Sequence, residues 1–160
     1  MVKIVGHRGA AGYEAENTIR SFKTAIKVGC DKVELDVRLS KDNRLVVFHD
    51  EEVSRVTDGE GFVHELTLAE LKELKDTNQK IPTLQEVIDC CKGKIDLQIE
   101  LKANDTTKYV NDILLKNDLE QHVVITSFDV ELLHLSLKNT YEDDNILHSQ
   151  PTQQFCSYLS

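Results

Sequence analysis

The sequence predicts a single α/β domain in which repeated βα units wind around a parallel sheet. Three observations predict it. Apolar residues recur with a period of two in some stretches and about 3.6 in others. The two kinds of stretch follow one another along the chain. Finally, 40% of the 160 residues are hydrophobic, enough to fill one packed core.

The elements follow in order. A first strand is expected over Lys3–Gly6. A helix over Asn17–Val28 carries Ile19, Phe22 and Ile26 on one stripe, and Gly29 stands where a left-handed C-terminal residue belongs. Strands are expected over Lys32–Leu39 and Arg44–His49. Leu66, Leu68, Leu71 and Leu74 mark a short helix, and Pro82-Thr83-Leu84-Gln85-Glu86 supplies a capping box that opens another helix to Cys91. A strand over Ile95–Lys102, a helix over Thr106–Lys116, a strand over Val123–Ser127 and a helix over Val130–Lys138 follow, with a weaker sixth strand over Asn145–His148. Residues 1–150 are expected to form the domain and residues 151–160 an irregular tail, because periodicity is lost there.

A formal net charge of -9 repels a polyphosphate backbone, and no basic run interleaved with aromatics offsets it, so nucleic acid is excluded as a partner. An acidic protein that handles a small phosphate ester has to neutralise it locally, with a metal ion or a few placed cations. The apolar start of the chain is too short for a signal segment and no window approaches a membrane span, so a cytoplasmic protein without stable membrane insertion is expected. Cys30, Cys90, Cys91 and Cys156 show no metal or redox spacing and read as free, largely buried thiols.

Chemistry concentrates at strand ends. In Lys32–Leu39, Glu34, Asp36 and Arg38 share one face while Val33, Leu35 and Val37 share the other, which puts the two carboxylates about 7 Å apart at Cα. A strand with one wet face has the same pattern. Ile95–Lys102 repeats it with Asp96, Gln98, Glu100 and Lys102. In a closed parallel barrel such a face points inward, and inward acids require a partner, most simply a hard cation. Glu34, Asp36 and Glu100 are therefore candidate ligands for Ca²⁺ or Mg²⁺. His7 and His49 each close a strand, where a β/α barrel keeps its active site, and they are candidates for acid and base. Arg8 and Lys102 are the cations at hand for a phosphoryl group, although each also reads as an ordinary salt-bridge partner. His64, His122, His134 and His148 are expected to be structural, and Ser127 lacks the partners of a nucleophile.

Taken together, His7-Arg8-Gly9, Glu16-Asn17-Thr18, Glu34-Leu35-Asp36-Val37, His49-Asp50, Ile81-Pro82-Thr83-Leu84, Glu100-Leu101-Lys102 and Ser127-Phe128 resemble the ordered motifs of glycerophosphodiester phosphodiesterases, over roughly residues 3–128. One departure is Ala15 where the family usually has proline before Glu-Asn-Thr. The resemblance implies a fold of the (β/α)8 TIM-barrel type. It also implies divalent-metal-dependent hydrolysis of small-molecule glycerophosphodiesters to glycerol 3-phosphate and an alcohol, through a cyclic phosphate. It gives the metal to Glu34, Asp36 and Glu100, acid–base exchange to His7 and His49, and the phosphate to Arg8 and Lys102.

A full barrel typically needs about 250 residues, so this chain is expected to be truncated to about six βα units, with strand edges left open. A piece of a longer enzyme, a short form that pairs its edges in a homo-oligomer, and a degenerate copy all satisfy that pattern. Two other functions stay open beside the first: a non-catalytic module that keeps metal or phosphate binding, and a phosphodiesterase acting on lysophospholipids or sphingolipids.

Overall fold

The computed structural model describes residues 2–134, apart from 77, 78, 104, 120 and 132. The strands are β1 (Val5–Gly6), β2 (Lys32–Leu39), β3 (Leu45–Val47), β4 (Lys75–Asp76), β5 (Gln79–Lys80), β6 (Asp96–Leu101) and β7 (Val123–Thr126). The helices are α1 (Ile19–Val28), α2 (Leu68–Glu73), α3 (Leu84–Cys91) and α4 (Thr106–Lys116), with a 3-10 turn at Val63–Glu65.

Helix ends fall where the caps put them. Thr18 caps α1 and bonds reciprocally with Ser21, while Gly29, at φ 83°, closes the helix by donating to the carbonyls of Ala25 and Ile26. Capping boxes at Thr67/Glu70 and Thr83/Glu86 open α2 and α3. The helix expected from Val130 passes out of the described residues after 134, and the strand expected over Asn145–His148 lies wholly outside them.

In the main sheet β1, β2, β6 and β7 are parallel neighbours in that order. Their order in space follows their order in sequence, as in a singly wound β/α barrel wall; a doubly wound sheet reverses at a switch point. Val33, Leu35, Val37, Leu97, Ile99 and Leu101 on one face of β2 and β6 share a core with Phe22, Ala25, Leu84, Val87, Ile88, Cys91, Val110 and Leu114. Burial pushes the Cys91 thiol up to about 12, so it is inert as a nucleophile. Cys30 and Cys90 are likewise free.

The third strand corrects one expectation. It covers three residues, not Arg44–His49, and it runs antiparallel to β2, with Val37 opposite Val47 and Leu39 opposite Leu45. The loop 40–44 is the cause: a parallel crossover needs roughly a dozen residues or more, whereas this loop turns tightly through Asn43 at φ 55°. Because Val37 pairs with Leu101 on its other edge, β3 occupies the edge of β2 that β1 leaves after Gly6. A second, smaller core of Val46, Phe48, Val53, Val63, Leu71 and Ile81 packs beneath this excursion, and the β4–β5 ribbon is a further element that the sequence pattern did not mark.

Candidate active site

Strand register builds the acidic cluster. Parallel pairing sets Asp36 opposite Glu100 and Glu34 opposite Gln98, on strands about 4.8 Å apart. Glu34 and Asp36 are two residues apart and share a face. One oxygen from each of Glu34, Asp36 and Glu100 lies within 4.8 Å of the others. Glu34 and Asp36 are 5% and 1% exposed, so their charges are largely out of water.

Cations and donors satisfy only part of this charge. Lys102 Nζ donates to Glu100 Oε1 at 2.6 Å and lies 3.2 Å from Asp36 Oδ1, while Asn17 Nδ2 donates to Asp36 Oδ2 at 2.9 Å. Lys102 sits within ion-pair reach of Asp36 Oδ1 without hydrogen-bond geometry, so that oxygen and Glu34 Oε1 are buried with no hydrogen-bond partner. Burial, reinforced by the charge of Asp36, pushes the Glu34 carboxyl up to about 7, even though the Arg8 N–H donates to Oε2 at 2.8 Å. Two orphaned carboxylate oxygens pointing into a three-acid cluster, one acid held near protonation by its neighbours, suit a hard oxygen-loving cation.

The turn after β1 aims Arg8 into this cluster. Arg8 at φ 50° and Gly9 at φ 81° reverse the chain, and Ser21 Oγ donates to the Arg8 carbonyl at 3.0 Å. A Cβ on Gly9 would stand 2.3 Å from Ser21 Oγ, so only glycine lets the turn sit on α1. Arg8 then places Nε 3.5 Å from Asp36 Oδ2 and Nη1 2.8 Å from Glu16 Oε1. His7 stands at the rim, largely exposed, with Nε2 3.8 Å from Glu34 Oε2.

His49 follows β3, and the neighbouring Phe48 N–H donates to the Asp36 carbonyl at 3.0 Å. Its own carbonyl accepts from Arg38 Nε at 2.9 Å, and its Nδ1 lies 2.5 Å from Asp50 Oδ1. Asp50 also pairs with Arg55 Nε, whose Nη2 and Nη1 reach Glu16 at 2.5 and 3.3 Å. Partial burial alone would raise Asp50 and Glu16, but bonds from Arg55 and His49 to the first, and from Arg55 and Arg8 to the second, hold both below the usual carboxylate range.

Beside the cluster is a cleft of about 310 Å³ lined by His7, Glu34, Gln98, Glu100, Thr126 and Phe128, with Val5 and Ser127. Ser127 Oγ donates to the Leu101 carbonyl and accepts from the Asp129 N–H, which makes it a turn-forming residue. Of the seven residues singled out in the sequence, Arg8, Glu34, Asp36, Glu100 and Lys102 meet at one point. His7 is at its edge, and His49 stands in the adjoining network of Asp50, Arg55 and Glu16 and is not among the residues that line this cleft. Glu16, Asn17, Asp50 and Phe128 stood in the motifs without a role; the structure adds Arg55, the network it joins, the bond from Asn17 to Asp36 and the Phe128 ring 5.5 Å from Lys102 Nζ. Asn17 carried a signal in the sequence, an Asx residue just before the Thr18 cap, suited to its φ of 55°. Arg55 carried none.

Residues 7–157 match the model of the Glycerophosphoryl diester phosphodiesterase family. The chain belongs to this family. A glycerophosphodiester phosphodiesterase of Caldanaerobacter subterraneus is 40% identical over 150 residues, covering 85% of this chain and 60% of that protein. One from Bacillus subtilis is 36% identical over 156 residues, covering 81% and 53%. Among solved structures, a glycerophosphodiester phosphodiesterase from Agrobacterium tumefaciens superposes with a TM-score of 0.82 at 31% identity, over 89% of this chain and 64% of that one. An Oleispira antarctica phosphodiesterase, in complex with the product sn-glycerol-3-phosphate, gives 0.76 at 31% identity over the same shares. The chain spans about half the length of the curated relatives it matches. The fold class is α/β of the TIM-barrel type seen in these glycerophosphodiester phosphodiesterases. Among the described residues, no helix is long and apolar enough to cross a membrane.

Proposed function

We propose that this chain carries the metal and phosphate centre of an enzyme that hydrolyses a glycerophosphodiester to glycerol 3-phosphate and an alcohol. The observation that carries the reading is the convergence of three carboxylates, two of them with orphaned buried oxygens, beside Arg8 and Lys102. Three acids against two cations leave one negative charge. A divalent ion would turn this into one positive charge, matched to the single negative charge of a phosphodiester. The family and the product held by the Oleispira antarctica relative support the substrate class.

In this reading Glu34, Asp36 and Glu100 would hold Ca²⁺ or Mg²⁺, which when bound supplies positive charge against the phosphoryl oxygens. Arg8 and Lys102 grip the same oxygens and keep the phosphorus in line for attack. One histidine of the pair His7 and His49 takes the proton of the glycerol hydroxyl as its oxygen bonds to phosphorus, and the other protonates the departing alcohol. The roles exchange when water opens the cyclic phosphate.

The test is release of glycerol 3-phosphate from glycerophosphoethanolamine, with lysophosphatidylcholine run in parallel to place the substrate class. Turnover is expected to need the divalent ion and to fall by about 10²-fold or more in His7→Ala and in His49→Ala. Turnover that survives chelation, or that is unchanged in either variant, rejects the assigned roles. Binding of the ion and of glycerol 3-phosphate without turnover favours a non-catalytic module.

A further inference from the structure

The string of side chains that runs from His49 to the acid cluster alternates donors with carboxylates: His49, Asp50, Arg55, Glu16, Arg8, Asp36. Each neighbouring pair is in contact, at 2.5 Å for His49–Asp50 and Arg55–Glu16, 2.8 Å for Glu16–Arg8 and 3.5 Å for Arg8–Asp36, and Arg55 Nε donates to Asp50 Oδ2. Arg55 is its hinge. It lies five residues beyond Asp50 and 39 beyond Glu16 in sequence, and one planar guanidinium serves both carboxylates.

We propose that Arg55 is a positioning residue: by clamping Asp50 against Glu16 it holds the His49 imidazole in its Nδ1–H tautomer and presents Nε2 as the nitrogen that exchanges protons. The consequence for catalysis rests on the hydrolytic reading above; the tautomer itself does not. An ionised carboxylate is only an acceptor, so at 2.5 Å the His49 Nδ1 has to be the donor, and in the neutral ring Nε2 then keeps the lone pair. Asp50 remains ionised because two donors outweigh its partial burial. Alone, a quarter-exposed carboxylate beside the histidine would be free to rotate away. The Arg55 fork fixes its plane, and Lys at this position would keep the charge without the two-sided geometry. Glu16 anchors the far side of the fork and is itself held by Arg8, which ties the orientation of His49 to the acid cluster.

Structural and positioning roles separate cleanly here. Arg55 is about half exposed, and exposed ion pairs add little to stability, so its loss should leave the fold intact. The experiment is a long-range ¹H–¹⁵N correlation of the imidazole rings in the labelled full chain, at pH of about 8 or above where an ordinary histidine is neutral. In the wild-type chain His49 is expected to show the Nδ1–H tautomer alone. In Arg55→Gln that signature is expected to give way to the Nε2–H form favoured by free imidazole, with the circular dichroism spectrum unchanged. Arg20→Gln, which breaks an exposed pair with Glu14, should leave His49 as it was. An Arg55→Gln ring that keeps the Nδ1–H form, or a wild-type ring in the Nε2–H form, overturns the proposal. Should Arg55→Gln not fold, Arg55→Lys carries the same test, and a ring indistinguishable from wild type again overturns it. In a turnover assay Arg55→Gln should lower kcat with KM nearly unchanged. If the tautomer responds as expected but the wild-type chain releases no glycerol 3-phosphate, the positioning stands and the hydrolytic reading falls.

Discussion

Glu34 is the acid at which a proton and the proposed metal ion would compete. Its carboxyl is raised from 4.5 to about 7 by burial and by Asp36. A group raised in the folded state stabilises the fold fully below its unfolded value, and that contribution is lost as pH rises through the folded value. Without metal, the melting temperature should therefore fall between about pH 5 and pH 8; with excess Ca²⁺ or Mg²⁺ the fall should disappear, since the ion takes the place of the proton. Calorimetry should show cation affinity rising up to about tenfold per pH unit below 7, and an affinity flat across that range contradicts the assignment. Lys102 gives a second test with opposite signs. Lys102→Met removes a positive charge from beside Asp36 and Glu100, so cation affinity should rise by roughly tenfold while glycerol 3-phosphate binding weakens by a similar factor. A loss of both would show that Lys102 merely holds the cluster together. At this scale the acids were legible because strand alternation sorts side chains to faces, so Glu34, Asp36 and Glu100 could be placed without coordinates. Arg55 was not legible, because no periodicity links it to Glu16 or Asp50; only the fold brings them into contact.

At the scale of elements, the turn between β1 and α1 delivers Arg8 to the acid cluster that β2 and β6 build. Three of its bonds, from Gly9 N–H to the Glu34 carbonyl, from Arg8 N–H to the Glu34 carboxylate and from Ser21 Oγ to the Arg8 carbonyl, lock the loop between β2 and α1. Gly9→Ala meets Ser21 at once and adopts a left-handed φ, so it should destabilise the protein by about 2 kcal/mol or more and weaken cation binding with it. Gly12→Ala, with no neighbour near its Cβ position, should be nearly neutral by chemical denaturation. Helices were the most legible elements, since Thr83 with Glu86 announces the start of α3 and Gly29 the end of α1. The short edge elements were the least legible. Leu45–Val47 is apolar like a central strand, and only the shortness of the loop 40–44 argues that it must return antiparallel.

For the molecule as a whole, β6 becomes the immediate neighbour of β2 because β3 turns aside, and that adjacency brings Glu100 opposite Asp36. Counting strands along the sequence placed the two acidic strands two apart; the sheet places them side by side, which is why three carboxylates can share one ion. The βα units and their parallel sheet were readable from the alternation of periods and the barrel type from the resemblance to the family, whereas the antiparallel excursion and its separate small core were not, because apart from the short loop 40–44 nothing local distinguishes an inserted strand from a barrel strand. Anomalous diffraction from crystals of this chain grown with Mn²⁺ tests that adjacency most directly. A single ion bound by oxygens of Glu34, Asp36 and Glu100 together is the expected result. An ion held by other residues, or density showing the three carboxylates turned away from a common centre, would contradict it.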